Sequence, residues 1–425
     1  MKMLDWQEQW LNTPNKNIIW AETGLGKGVL LSYYATLYEK NGVLIITPPH
    51  LIYDWIDKIE QNGYTASIVN KGELKSGINV VSYSMLTRYK LNSKGVGLII
   101  IDESHRIKSH KSTTFKIIQS YVKKYTPEVI CISATIVTKN SIDILTQAYI
   151  TNKAVMKYQP SFYKFLEDVS EFKEMYFGSK IVRTPIKVKP EILKSIMKTV
   201  FVVTYEKEGI PKPEYKKIVI KVKISTEAED AVNTFLDTEQ LLSNPSFSFD
   251  YILNKISNPH STFLQAVNGF IYKKDENNKV ITVECGIQKK VEQVLTILEE
   301  EKPLLLYFFD AEKEVLKGIP NAYIYKKDGK GVLEQIQEFE KGVYSCFIAN
   351  IASIGEGIRF KNTSSVIIFS QQYDYGRLLQ AMGRIMYVGD TKEQLRVYTF
   401  KSDYKYSKDI DLNLYQKQQL IQELR

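Results

Sequence analysis

Asn17-Ile18-Ile19-Trp20-Ala21-Glu22-Thr23-Gly24-Leu25-Gly26-Lys27-Gly28 is the stretch that decides how this chain is read. A short apolar run feeds a glycine-rich turn, and a lysine then opens a helical pattern. That order makes a phosphate cradle: backbone N–H groups and a helix N-terminus face the anion, and Lys27 can reach β- and γ-phosphates. Thr23, Gly24, Leu25, Gly26, Lys27 and Gly28 are the candidate triphosphate contacts. By itself such a loop is also an ordinary strand-to-helix turn, so its surroundings must decide. One position departs from the usual pattern. The residue after the lysine normally supplies a Ser or Thr hydroxyl to Mg²⁺, and here it is Gly28.

Outward from the loop, short β-branched runs recur: GVLIIT (42–47), INVVSY (78–83), VGLIII (96–101) and EVICIS (128–133). Helical segments such as VLLSYYATLYEK and TTFKIIQSYVKKY separate most of them. Continuous apolar strands alternating with helices predict a parallel sheet covered on both faces, with ligands at the carboxyl ends of its strands. A second set follows late in the chain: PLLLYFF (303–309), AYIY (322–325), SCFIAN (345–350), SSVIIF (364–369) and LRVYTF (395–400). The fold class predicted is α/β, with two parallel-sheet domains in tandem. The expected boundaries are 1–150 for the first domain, 151–205 for a helical insertion, 206–400 for the second domain including a helical segment 226–300, and 401–425 for a helical tail.

A chain of 425 residues has room for two such cores. Its 57 Lys and Arg against 48 Asp and Glu, a formal +9, suit a polyanionic partner. Three scattered cysteines and four histidines give no disulfide framework or zinc pattern. Neither a signal-peptide layout nor an apolar run of membrane length is present, so the reading is a cytoplasmic monomer without a membrane partner. The lysine-rich stretch 212–223 reads as a solvated face or a DNA-facing strand. Most tyrosines read as core or interface residues.

Two further constellations carry chemistry. Asp102-Glu103-Ser104-His105 ends the VGLIII strand. A carboxylate leaving a buried strand beside a phosphate loop can hold Mg²⁺, and the next can orient and deprotonate a water. Asp-Glu pairs are also common in solvated turns; the upstream loop at domain-scale spacing favours the chemical reading. In the second half, Gln380-Ala381-Met382-Gly383-Arg384 follows the SSVIIF strand, and a glycine-preceded arginine there can serve a γ-phosphate. Ser133-Ala134-Thr135 also falls at a strand end, though Ser and Thr favour turns and caps in any protein.

In this order the phosphate loop, DExH box, SAT, the Gly-rich turn Ile354-Gly355-Glu356-Gly357 and QxxGR resemble the motif series of superfamily-two helicases and translocases. Several segments resemble the Swi/Snf-like branch: DESHRIKS (102–109), TPPHLIYDW (47–55), NIASIGEGIRF (350–360), QAMGRIMYVGD (380–390) and TYEKEGIPKPEYKKIVIKVKIS (204–225). The resemblance runs from Trp6 to about Phe400 and implies two tandem RecA-like domains with a helical insertion. It implies ATP and Mg²⁺ as cofactors. Gln7 would contact adenine, Gly24, Gly26 and Lys27 the phosphates, Asp102 the Mg²⁺, and Glu103 would be the general base. His105, Ser133, Thr135 and Gln380 would couple nucleotide state to domain closure, and Gly357 and Arg384 would complete the site.

Nucleic-acid backbone contacts are implied for Pro48, Pro49, His50, Ser82, Tyr83, Ser84, Gly355 and Glu356, which makes binding salt-dependent and weakly sequence-dependent. The activity implied is ATP-driven translocation on duplex DNA, with single strands or RNA as other substrates. A strand-separating helicase shares every motif. Gly28, and Tyr387 where the family has a second arginine, leave open a third reading, an ATP-gated binding or scaffold protein with weak or no hydrolysis. Compactness suits a viral or mobile-element enzyme, located in a host cytoplasm or at a nucleoid.

Overall fold

The computed structural model describes residues 3–424 apart from 14, 92–94, 138–139, 178–179, 211–213, 243–258, 276, 278, 326–331, 352–359, 361–362, 373–381 and 383–394. The chain divides into two compact units, the first built mainly from Met1–Pro213 and the second mainly from Glu214–Ala381 and Asp390–Gln416. Each contains one parallel sheet, as the strand–helix alternation predicts.

In the first unit the apolar runs become β1 (Ile18–Ala21), β2 (Val43–Thr47), β3 (Ala66–Ile68), β4 (Ile78–Ser82), β5 (Leu98–Asp102) and β6 (Glu128–Ser133). β1, β2, β4 and β5 are buried along their whole length. Isoleucine, leucine and valine fill them because helices cover both faces, leaving no solvated side to select polar alternation. The intervening helices are α1 (Asp5–Leu11), α2 (Lys27–Leu37), α3 (Ile52–Glu60), α4 (Tyr83–Arg88), α5 (Thr113–Tyr125) and α6 (Leu145–Thr151).

The segment expected to be a helical insertion differs from that reading. It holds helices Lys153–Tyr158, Phe162–Val169 and Pro190–Met197, but also an antiparallel hairpin of β7 (Ser170–Phe177) and β8 (Lys180–Val188). Pro185 sits opposite Phe172, where the register shifts; a bulge tolerates a residue that cannot donate to the ladder. The segment then ends on β9 (Val200–Val203), which pairs in parallel with β1. The first sheet is therefore seven-stranded, in the order β3-β4-β2-β5-β6-β1-β9. VFVV looks like an approach to the second domain because its partner lies 180 residues upstream, beyond any local pattern.

The second unit has a six-stranded parallel sheet made of β10 (Tyr215–Val222), β13 (Leu304–Tyr307), β14 (Tyr323–Ile324), β15 (Phe347–Asn350), β16 (Ser365–Ile368) and β17 (Leu395–Ser402). Their order is β10-β17-β16-β13-β15-β14. The region expected to be helical over 226–300 contains helices Ser225–Leu242, Pro259–Val267 and Ile287–Leu298, together with a second hairpin, β11 (Phe270–Lys274) and β12 (Val280–Glu284). Gly269, at φ +90°, turns the chain into that hairpin where a Cβ would meet the Ile287 backbone at 2.6 Å.

Buried among Phe270, Phe369 and Phe400 is a charged cluster. Lys290 (2% exposed) donates to Asn268 Oδ1 at 3.0 Å and lies 4.6 Å from the Phe369 ring centre. Its ammonium is 3.9 Å from Glu312 Oε1. Glu312 Oε2 accepts from the Phe308 and Phe309 amides and from Ser370 Oγ, which fixes the start of helix Asp310–Leu316. Asn268 in turn exchanges two hydrogen bonds with the Gln371 backbone. Burial pulls the Lys290 pKa down to about 8 despite the opposing charge of Glu312.

Candidate nucleotide and active site

The carboxyl ends of β1, β2, β5 and β6 come level: Thr47 ends β2, Asp102 ends β5, Ser133 ends β6, and Trp20 of β1 is in register with Ser133. The candidate site is built on this row. Between β1 and α2, Gly24 (φ 92°) and Gly26 (φ 79°) take left-handed conformations that a side chain would resist. Gly26 caps α2, so the loop arrives at the helix N-terminus with its amide dipoles aimed outward. Leu25 anchors the loop in the core at 0% exposure.

Gln7, in α1, is buried against this loop. Its Oε1 accepts from the Leu4 amide at 2.8 Å and its Nε2 donates to the Gly26 carbonyl at 3.1 Å. Lys27 Nζ donates to the carbonyls of Ala21 and Glu22, both at 3.0 Å. The loop is also braced from the turn just after β9: the Tyr205 amide donates to Glu22 Oε2 at 2.9 Å, and the Tyr205 hydroxyl donates to the Thr23 carbonyl at 2.9 Å.

Asp102 is held rigidly. Its Oδ2 accepts from Thr47 Oγ1 and Trp55 Nε1, each at 2.9 Å, and its Oδ1 accepts from the Glu103 amide at 3.0 Å. Burial, then the neighbouring Glu103 charge, push its carboxyl above the usual range. Glu103 has left-handed backbone (φ 49°), which turns its side chain toward β6. There Glu103 Oε2 accepts from Ser133 Oγ at 2.9 Å and lies 3.2 Å from His105 Nδ1. Burial alone would raise the Glu103 pKa, but the His105 hydrogen bond and charge, the Lys27 charge and the Ser133 hydroxyl outweigh it and hold it down. His105 Nδ1 also lies 3.0 Å from Ser133 Oγ and 3.4 Å from Thr135 Oγ1, and Ser133 Oγ accepts from the Thr135 amide. Glu103, His105, Ser133 and Thr135 thus form one connected cluster.

The segments expected to meet nucleic acid divide. Pro48 is buried and Pro49 exposed, and His50 lies in the short turn Pro49–Leu51. Ser84 is exposed, but Ser82 is buried and caps α4 by accepting from the Met85 amide. Tyr83, expected at the nucleic-acid face, is 8% exposed, and its hydroxyl donates to the Asp102 carbonyl at 2.6 Å. Its ring is thereby committed to supporting the acidic turn. Gly355, Glu356, Gly357, Gln380, Arg384 and Tyr387 lie outside the described residues.

Several supporting residues had no role in the sequence reading. Thr47 and Trp55 lie within the quoted TPPHLIYDW segment, whose spacing was the available signal. Gln147 of α6 accepts from Ser104 Oγ at 2.7 Å and ties the acidic turn to the Ile136 carbonyl; nothing local marks it.

Two family models match in tandem: "Type III restriction enzyme, res subunit" over residues 2–138 and "Helicase conserved C-terminal domain" over residues 266–389. Both models describe helicase-type or restriction-enzyme domains, and together they span the loop, the acidic turn and most of the second sheet. Similar chains include the CHD3-type chromatin-remodeling factor PICKLE of Arabidopsis thaliana, 22% identical over 79% of this chain and 24% of that protein. The uncharacterized ATP-dependent helicase YqhH of Bacillus subtilis is 21% identical over 96% of this chain and 76% of that one. A solved Sulfolobus solfataricus SWI2/SNF2 ATPase core in complex with dsDNA overlaps 99% of this chain at 14% identity, with a TM-score of 0.39. The chain spans about a quarter of the length of PICKLE. By these matches the chain is similar to superfamily-two, Snf2-like helicases.

Proposed function

We propose that this chain is an ATP-dependent motor on nucleic acid, with duplex DNA as its track. The observation that carries the reading is the Glu103–His105–Ser133–Thr135 cluster, set at the sheet's carboxyl edge beside Lys27 and the Gly24–Gly26 loop. The loop amides and Lys27 bind the triphosphate, with Lys27 exchanging its hold on the Ala21 and Glu22 carbonyls for phosphate oxygens. Gln7 borders the same loop and is proposed to read the base. Glu103 orients a water and accepts its proton as the water's oxygen forms a bond to the γ-phosphorus and the bond to the β-phosphate oxygen breaks.

Mg²⁺ fits this donor set. Among the described residues no cluster of three metal-ligating side chains occurs, and a hard cation that shares phosphate oxygens and waters needs only one or two protein carboxylates. Asp102 would hold it, and the ion would neutralise charge on the phosphates. His105, Ser133 and Thr135 transmit the state of Glu103 to β6. Ser84, Pro49 and His50, with Gly355 and Glu356, are proposed to contact the nucleic-acid backbone, and Gly357, Gln380 and Arg384 to take part in the nucleotide cycle. A second reading, nucleotide-gated binding with slow cleavage, is favoured by Gly28, which brings no hydroxyl to the cation.

Steady-state ATP hydrolysis with no polymer, single strand, duplex DNA and RNA in turn tests the proposal, with Lys27→Ala as control. Duplex DNA is expected to stimulate turnover most. Turnover that no polymer raises above the control overturns the motor reading.

A further inference from the structure

The side of Gly28 where a Cβ would stand is bordered by a lysine from another helix. A Cβ built on Gly28 would meet Lys58 Cε at 3.3 Å, Cδ at 3.4 Å and Nζ at 3.4 Å. Gly28 is the second residue of α2, and Cβ atoms on a helix tilt toward its N-terminus, here toward the phosphate cradle. The Lys58 ammonium therefore stands on the side of Gly28 where a Ser or Thr hydroxyl would face the cation. Lys58 belongs to α3, one turn beyond Trp55, the residue that donates to Asp102. Its side chain is 23% exposed and pairs with Asp54 one turn back, which draws the ammonium up toward the start of α3.

We propose that Gly28 and Lys58 form a single device, in which a fixed ammonium supplies, next to the triphosphate, part of the positive charge other P-loops obtain through a hydroxyl-held Mg²⁺. The inference rests on the nucleotide-site reading above. A glycine at 28 leaves the lysine room: a Cβ alone would already touch its Cε at 3.3 Å, and the further atoms of a Ser or Thr side chain would press on the same end of the lysine. Asp54 competes with phosphate for the same ammonium and sets how strongly it is offered. The consequence is nucleotide binding that depends less on divalent metal, since an ammonium persists when the cation is removed.

Calorimetric titration of the full chain with ATP, in Mg²⁺ and in EDTA, tests this. The unsubstituted chain is expected to lose less than about tenfold in affinity when the metal is removed, and Lys58→Met to lose on the order of tenfold more in EDTA than in Mg²⁺. Lys58→Arg should retain metal-free binding. Asp54→Asn, by releasing the ammonium, should tighten it, a gain that a folding defect cannot imitate. Gly28→Thr combined with Lys58→Met should bind well only with Mg²⁺. Metal-free affinity of Lys58→Met equal to that of the parent overturns the role of Lys58 while leaving the nucleotide site intact. No ATP binding by the unsubstituted chain in either condition overturns both readings.

Discussion

Each unit buries a charged cluster against its parallel sheet, and the two clusters are built differently. In the first unit Asp102 and Glu103 are adjacent carboxylates whose pKa values burial and neighbours push in opposite directions. They sit at strand ends, beside a lysine whose partners are loop carbonyls and beside a glycine-rich turn. In the second unit Lys290 and Glu312 face each other, and Asn268, Ser370 and two backbone amides take up most of their remaining capacity. One cluster keeps like charges together and the other joins opposite charges. Like charges held side by side cost stability unless a ligand relieves them; opposite charges with most of their hydrogen bonding satisfied favour a single packing.

That contrast can be broken. Glu103→Gln should lower ATP turnover by roughly 10²- to 10⁴-fold while ATP still binds, as measured by steady-state hydrolysis beside calorimetry. If it instead lowers stability as much as a change in the second cluster does, the two clusters are alike and the distinction fails. Glu312→Ala should cost about 3–5 kcal/mol in urea unfolding, because it strands a buried ammonium and frees two helix-cap amides. The smallest expected effect is a pH dependence. Folded Lys290 gives up its proton near pH 8 and an unfolded lysine near 10.5, so between those values the unfolded chain binds more protons. Stability from this group rises with pH across that window, and Lys290→Met should flatten the rise in melting temperature between pH 8 and 10. A parent and variant with parallel profiles would show that the ammonium is already neutral or solvated.

The alternation of buried strands and helices is written locally, in runs such as VLIIT and LIIID, and the fold class was legible from it. The phosphate loop and the acidic turn were legible for the same reason: their residues are neighbours in sequence. What could not be read were pairings between distant segments. Trp55 on Asp102, Gln147 on Ser104 and Lys58 on Gly28 each join elements whose approach only the assembled sheet determines. The hairpin β7–β8 was hidden because its charged and aromatic residues also suit helices, and β9 because a strand carries no mark of its partner. Tyr83 shows the converse: a residue quoted for one face is spent on the interior. The oddity of Gly28 was visible at once, yet its meaning needed a lysine thirty residues away.

The bracing of the phosphate loop by Tyr205 bears on how the chain comes into being. Glu22 and Thr23 are held by a residue made more than 180 positions later. As the chain leaves the ribosome, the loop is synthesised almost first and secured only after the rest of the sheet, the three helices that follow α6, a hairpin and β9 have emerged. A fragment ending near residue 150 would hold every nucleotide motif of the first unit and still lack the strand beside β1. Dissecting this protein at its apparent domain edge would therefore cut away the support of the very loop one meant to isolate, and a boundary at residue 213 is the one to clone.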